Sequence, residues 1–136
     1  MVKVSIDYVG GLHCVATHGP SKSTLETDAP VDNNGKGERF SPTDLVGTAL
    51  GTCMSTVMGI VAERNGIDLK GMHVDVVKEM SSDSPRRIRK LSVDIHIPLP
   101  ADHPKRDLLE RAALGCPVHH SLHPDVEKPI NFHWKS

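Results

Sequence analysis

The chain has little of what usually announces a function class. Its 136 residues carry sixteen Lys and Arg against seventeen Asp and Glu, a formal charge of -1. No basic block interleaved with aromatics occurs, so no nucleic-acid partner is expected. Cysteine is sparse and odd in number, Cys14, Cys53 and Cys116, which argues against a structural disulfide framework of the secreted kind. The N-terminal stretch MVKVSIDYVGG alternates polar and apolar residues, without the apolar core or small-residue cleavage site of a signal peptide. The expected location is therefore the cytoplasm. Internal repeats and low-complexity tails are also missing. The length suits one domain, residues 1–136, burying roughly two-thirds of the surface its unfolded form exposes.

What is present is a mixed pattern of strands and helices. Val2, Val4, Ile6 and Tyr8 alternate with polar residues, Gly10-Gly11 supplies a turn, and a second extended run covers Leu12 to Thr17, which together predict a hairpin. A third short strand is expected around Ser23 to Thr27, before the loop APVDNNGKGERF. Ser41, Pro42 and Asp44 form a strong helix start, with Ser41 as N-cap, Pro42 at the first position and Asp44 in a capping-box arrangement. That helix should run to about Arg64, where Asn65-Gly66 stops it. Strands near Met72 to Met80 and Ile88 to Ile97 follow, then a helix from about His103 to Leu114, a short helix from Pro117, and a closing strand PINFHW. This order predicts an α+β fold with one sheet flanked by helices.

Leu45 to Ala62 is a stretch of eighteen residues without a charge, long enough to raise the question of a membrane span. Gly, Thr and Ser fill seven of those positions and the flanking segments have the pattern of soluble strands, so no membrane partner is expected. An uncharged helix is otherwise one buried on every side. Gly47, Gly51, Ser55 and Gly59 form one stripe of small side chains that admits a close backbone approach. The favoured reading is packing on a second helix, its own copy in a homodimer. The alternative is packing on the chain's own sheet or later helices. Cys53 lines up instead with Ala49, Leu50, Val57 and Ile60, surroundings that by themselves suit an inert core thiol.

GCPVHHSLH places one thiol and three imidazoles within nine residues, Gly115 to His123. Gly115 stops one helix and Pro117 opens another, so Cys116 is expected at or beside a helix N-cap, where the partial positive charge favours a thiolate. Cys116, His119 and His123 share one helical face and could suggest zinc. Those donors spread over about 10 Å of helix axis, however, and no paired cysteine motif accompanies them. No metal is assigned. His13-Cys14-Val15-Ala16-Thr17-His18 lies on a strand where neighbours face opposite ways, and Cys14 is read as structural.

Three segments together, YVGGL, FSPTDLVGTALGTCMSTV and ALGCPVHHSL, resemble the OsmC/Ohr family of peroxide-handling proteins over essentially the whole chain. The resemblance implies an OsmC-like fold: an N-terminal β-sheet segment, a long buried central helix, further strands and helices, and an intertwined homodimer. It also implies thiol-dependent reduction of hydroperoxides, organic ones especially, with no cofactor and an external dithiol as reductant. Cys53 would be peroxidatic and Cys116 resolving. The best-studied branch of the family carries an Arg near the first strands and a Glu at the central-helix start that holds it. Here His13 follows GGL, the first arginine is Arg39, and the acidic position is Asp44. Asp44 lies nine residues before Cys53, about 180° away on an ideal helix, so capping is its simplest role. His13 and Arg39 are the candidate substitutes for the missing Arg. If neither serves, a small-ligand-binding or redox-sensing protein with weak turnover is the alternative.

Overall fold

In the computed structural model, which describes residues 1–136, the first alternating segments pair as expected. β1 (Val4–Gly10), β2 (His13–His18) and β3 (Thr24–Asp28) form an antiparallel sheet in the order β1-β2-β3. Gly10, Gly11 and Leu12 all adopt positive φ, 87°, 61° and 60°, a turn that glycine enters without steric cost. Val4, Ile6 and Tyr8 share one face with Cys14, Ala16 and Leu25 through the cross-strand register. These residues belong to the first of two compact units, Met1–Val46. Its only buried residues are Asp28 and Ser41, while Ile6 and Tyr8 are each 65% exposed. Within this unit the apolar face of the sheet has no cover.

The second unit, Gly47–Ser136, holds the apolar core. Its sheet contains β4 (His73–Met80), β5 (Ile88–Pro100) and β6 (Ile130–Lys135), with β5 central, β4 antiparallel and β6 parallel to it. Leu91, Val93, Ile95 and Ile97 alternate along β5 and are buried. The helices are α1 (Pro42–Arg64), α2 (Arg106–Leu114) and α3 (Pro117–Ser121). Two three-stranded sheets thus replace the one sheet expected: β1–β3 pair in sequence order, and β6, returning through α2 and α3, joins the β4–β5 pair as a parallel strand. The α2 helix also begins three residues later than expected: His103 makes a turn instead, its Nδ1 accepting from the Lys105 amide at 3.0 Å.

The start of α1 is the capping box that its sequence prescribes. Asp44 N donates to Ser41 Oγ at 3.0 Å and Ser41 N donates to Asp44 Oδ2 at 2.9 Å. Burial of the helix departs from expectation. It is long and apolar enough to cross a membrane by length and composition, yet only 33% of its most apolar window is buried. Gly47, Leu50, Gly51, Met54, Met58 and Ala62 form the buried side. Full burial of each large side chain among them is worth about 1.5–3 kcal/mol. Thr48, Thr52, Thr56 and Ile60 are exposed. The hydroxyls of Thr52 and Thr56 donate back to the carbonyls of Thr48 and Thr52, both at 2.8 Å, which leaves their methyl groups outward.

The small-residue stripe also divides. A Cβ on Gly47 would lie 3.5 Å from both Leu91 and Val76, and one on Gly51 would meet Val76 at 2.9 Å and Val74 at 3.4 Å. These two glycines therefore seat α1 on its own sheet, which corrects the favoured reading that the whole stripe faces another helix. Only Gly59 opens to free space.

Gly51→Leu should therefore wedge α1 off β4. Overpacking of this kind costs about 1–3 kcal/mol, to be read as a lowered urea midpoint at unchanged m-value.

Candidate active site

Cys116 sits where two helices meet. α2 ends at Gly115, whose amide donates to the carbonyls of Arg111 and Ala112, both at 3.1 Å. Cys116 then turns extended (φ -67°, ψ 143°), and Pro117 begins α3. The thiol is the N-cap itself, its Sγ accepting from the His119 amide at 3.2 Å. The expected position is thus found. The expected electrostatic outcome is not, because burial pushes the Cys116 thiol up despite the opposing amides of His119 and Val118. Complete loss of solvent (0% exposure) disfavours the charged form more than the helix terminus favours it.

The fold brings Cys53 to this sulfur. Its interaction with Cys53 adds to the rise of the Cys116 thiol. Cys53, on α1, is half-buried, and both cysteines are free thiols. The pair combines one thiol open to approach with one sealed behind it.

The three histidines nearby do not form a claw with Cys116. His119 is joined to it through the backbone amide, and burial, then the positive charges of Lys128 and His120, hold its imidazole below its ordinary pKa. His119 and His120 meet edge to face at 5.9 Å. Nδ1 of His123 accepts from the Asp125 amide at 3.0 Å, past the end of α3. No three His, Cys, Asp or Glu side chains converge on one point.

The remaining candidates assemble in the first unit. His13 Nδ1 is 2.6 Å from Asp28 Oδ1 and Nε2 is 3.0 Å from Glu26 Oε1. Arg39 Nε stands 3.6 Å from the other Glu26 oxygen. With a carboxylate at each ring nitrogen, His13 is satisfied only as imidazolium, and hydrogen bonding to Asp28 first and Glu26 second raises its pKa. Asp28, which is buried, is held low by His13 and by the amides of Glu38 and Arg39. Asp44 is placed in the capping box, and Cys14 faces the apolar side of the first sheet opposite Tyr8 and Thr27. Sequence reasoning missed Glu26 and Asp28. The usable signal was an acidic pair two apart on a strand that pairs with the His13 strand.

Comparison with known proteins agrees with this architecture. Residues 35–128 match the family described as OsmC-like protein. A Psychrobacter arcticus protein described as an osmotic stress induced and detoxification response protein is 41% identical, with TM-score 0.91, over 98% of this chain and 96% of that one. Two more distant structures share the fold. The OsmC organic hydroperoxide resistance protein of Legionella pneumophila is 15% identical (TM-score 0.78, 98% and 96% covered). The OsmC-like protein of Mycoplasma pneumoniae is 13% identical (TM-score 0.82, 100% and 98% covered). No curated protein matches the chain.

The His13 cluster sets a pH dependence of stability. His13 has a folded pKa above its ordinary 6.5, so its contribution is complete below that value and lost as pH rises through the folded one. Asp28 and Glu26, lowered from 3.8 and 4.5, contribute above those values and lose their contribution as pH falls through the folded ones. Urea unfolding between about pH 5 and pH 9 should show stability falling on the alkaline side, and His13→Gln should flatten that fall.

Proposed function

Because the chain belongs to the OsmC-like protein family, we propose that it is a thiol-dependent reductase of hydroperoxides, organic ones especially. The observation that carries this reading is the interaction of a half-buried Cys53 with a buried Cys116. In the proposed reaction the Cys53 thiolate attacks the O–O bond of ROOH. Sulfur takes one oxygen as sulfenic acid, and the departing alkoxide takes up a proton and leaves as ROH. The thiol of Cys116 then displaces water from the sulfenic acid, giving the Cys53–Cys116 disulfide. An external dithiol reduces that bond and is itself oxidised to a disulfide. Water exclusion around Cys116 suits its role as the second thiol, since it meets only the sulfenic acid formed beside it.

The working form in this reading is a homodimer. The first unit has no buried apolar side chain, and a three-stranded sheet without a covered face is not stable alone. A second copy would cover the Val4, Ile6 and Tyr8 face and the outward methyls of α1.

A second reading rests on His13. Its charge is balanced by Asp28 and Glu26 where it stands, so it is a poor stand-in for a free arginine at a peroxide. A redox-sensing or ligand-binding protein that is oxidised once and recycled slowly follows from that balance.

Consumption of an alkyl hydroperoxide with dithiol reductant separates these readings. Wild type is expected to turn over many times and Cys53→Ser to fall to the uncatalysed rate; a wild type no faster than Cys53→Ser removes the enzyme reading. Cys116→Ser is expected to be oxidised once, to a sulfenic acid that dimedone traps, with no disulfide between positions 53 and 116 in the digest.

A further inference from the structure

Most histidines of the chain have a settled partner. His13, His18, His73, His103, His123 and His133 each place a ring nitrogen against a carboxylate, a hydroxyl or a backbone amide. His119 differs. Its imidazole is half-buried and meets the edge of His120 at 5.9 Å, and neither ring nitrogen enters a hydrogen bond within the chain. Yet this is the residue whose amide donates to Cys116 Sγ, at 3.2 Å. His119 holds the third position of α3 after the Cys116 cap, the position whose side chain can turn back on an N-cap. Residues three apart on one helical face stand about 5–6 Å apart at Cβ, a gap that an imidazole closes directly or through one water.

Resolution of a sulfenic acid at Cys53 requires the Cys116 thiol to lose its proton. Cys116 is 0% exposed, so bulk water is not at hand to take it, and burial keeps the thiol protonated. The thiolate, not the thiol, is the nucleophile. A proton acceptor on the protein that is itself unprotonated near neutral pH removes this obstacle. His119 meets the requirement, because burial, then the charges of Lys128 and His120, hold its imidazole below its ordinary pKa. The titratable groups about this site are Lys128 from the segment after α3, His120 on α3, Cys116 at the cap and Cys53 on α1. The Lys128 ammonium itself donates to the carbonyl of Val126 at 2.8 Å.

We propose that the His119 imidazole is the general base of the resolving step, taking the Cys116 proton as that sulfur attacks Cys53. This role rests on the hydroperoxide-reductase reading above. As the Cys116 sulfur bonds to the Cys53 sulfur, the S–O bond of the sulfenic acid breaks and its electron pair leaves with the oxygen. His119 returns the proton to that oxygen, which departs as water. The Cys116 sulfur is oxidised from thiol to disulfide and the Cys53 sulfur is reduced from sulfenic acid to disulfide, so the step consumes no further reagent. The amide of the same residue, already on Cys116 Sγ, steadies the negative charge that builds there during the attack.

Rapid-quench mixing of the reduced protein with cumene hydroperoxide, read by intact mass and dimedone trapping, separates the two steps. Sulfenic acid forms at a rate that rises with peroxide concentration, and the disulfide follows at a rate that does not. In wild type this second rate should climb with pH and reach a plateau by neutral pH, as His119 becomes unprotonated. His119→Gln should form sulfenic acid at the wild-type rate, resolve it at least about tenfold more slowly at neutral pH, and lose the acidic limb of the profile. His119→Asn should behave alike, His120→Gln should keep both the rate and the limb, and far-UV circular dichroism confirms that each variant is folded. The proposal is overturned if His119→Gln and His119→Asn resolve as fast as wild type, or if they are slowed by one factor at every pH with the limb intact, the mark of a merely structural role. Loss of the limb in His120→Gln alone overturns it as well. A wild type that yields no sulfenic acid at Cys53 fails earlier, and overturns the reductase reading on which this role stands.

Discussion

The approach of α1 to its sheet is the constraint on which the thiol site depends. Gly51 leaves no room for a Cβ against Val76, so the helix lies closer to β4 than any larger residue would allow. Leu50, Met54 and Met58 fill the flanks of that contact and are wholly buried. The angle of the helix about its own axis follows from these residues. Cys53 lies two residues beyond Gly51, about 200° around the helix, and so is turned from the sheet toward the partly open side. A helix rotated by one residue would lose both the glycine seat and the thiol's access.

Cys116 shows two electrostatic effects in competition, and the structure decides between them. A helix N-terminus and a backbone amide favour a thiolate, whereas burial disfavours any charge. Here burial wins, and the Cys116 thiol is raised. α3 spans only Pro117–Ser121, so few aligned peptide dipoles stand behind the cap. Burial thus distinguishes the two sulfurs before any substrate arrives: Cys53 is half-buried, and Cys116 is sealed with its thiol raised.

The parts of this architecture that local rules govern were legible in the sequence. Ser41-Pro42-Thr43-Asp44 specified its helix start down to the individual hydrogen bonds, and Gly115-Cys116-Pro117 specified a helix join with the thiol at the cap. Alternation along Leu91, Val93, Ile95 and Ile97 named the buried face of β5. What local pattern could not supply was which surface each small residue meets. Gly47 and Gly59 look alike in a helical stripe, yet one rests on Leu91 and the other faces open space. The His13 cluster was hidden for a related reason. Its carboxylates come from β3, and only the register that pairs His13 with Asp28 reveals them. Whether Cys53 and Cys116 meet is likewise a tertiary fact, since sixty-two residues intervene.

The distribution of apolar surface carries the last step. In the second unit, apolar side chains on β5, α1 and α2 close over one another, so that Leu91, Ile95 and Leu109 are fully buried. In the first, the strands have equally good alternation, but Val4, Ile6, Tyr8 and Leu25 remain 46–65% exposed. Alternation of this kind specifies a face to be buried, and hydrophobic surface of this extent marks an association site in a folded protein. The outward side of α1 has a related character: the hydroxyls of Thr52 and Thr56 spend their one donor on the helix's own backbone. These two surfaces, left open within the chain, are the physical ground of the homodimer proposed above.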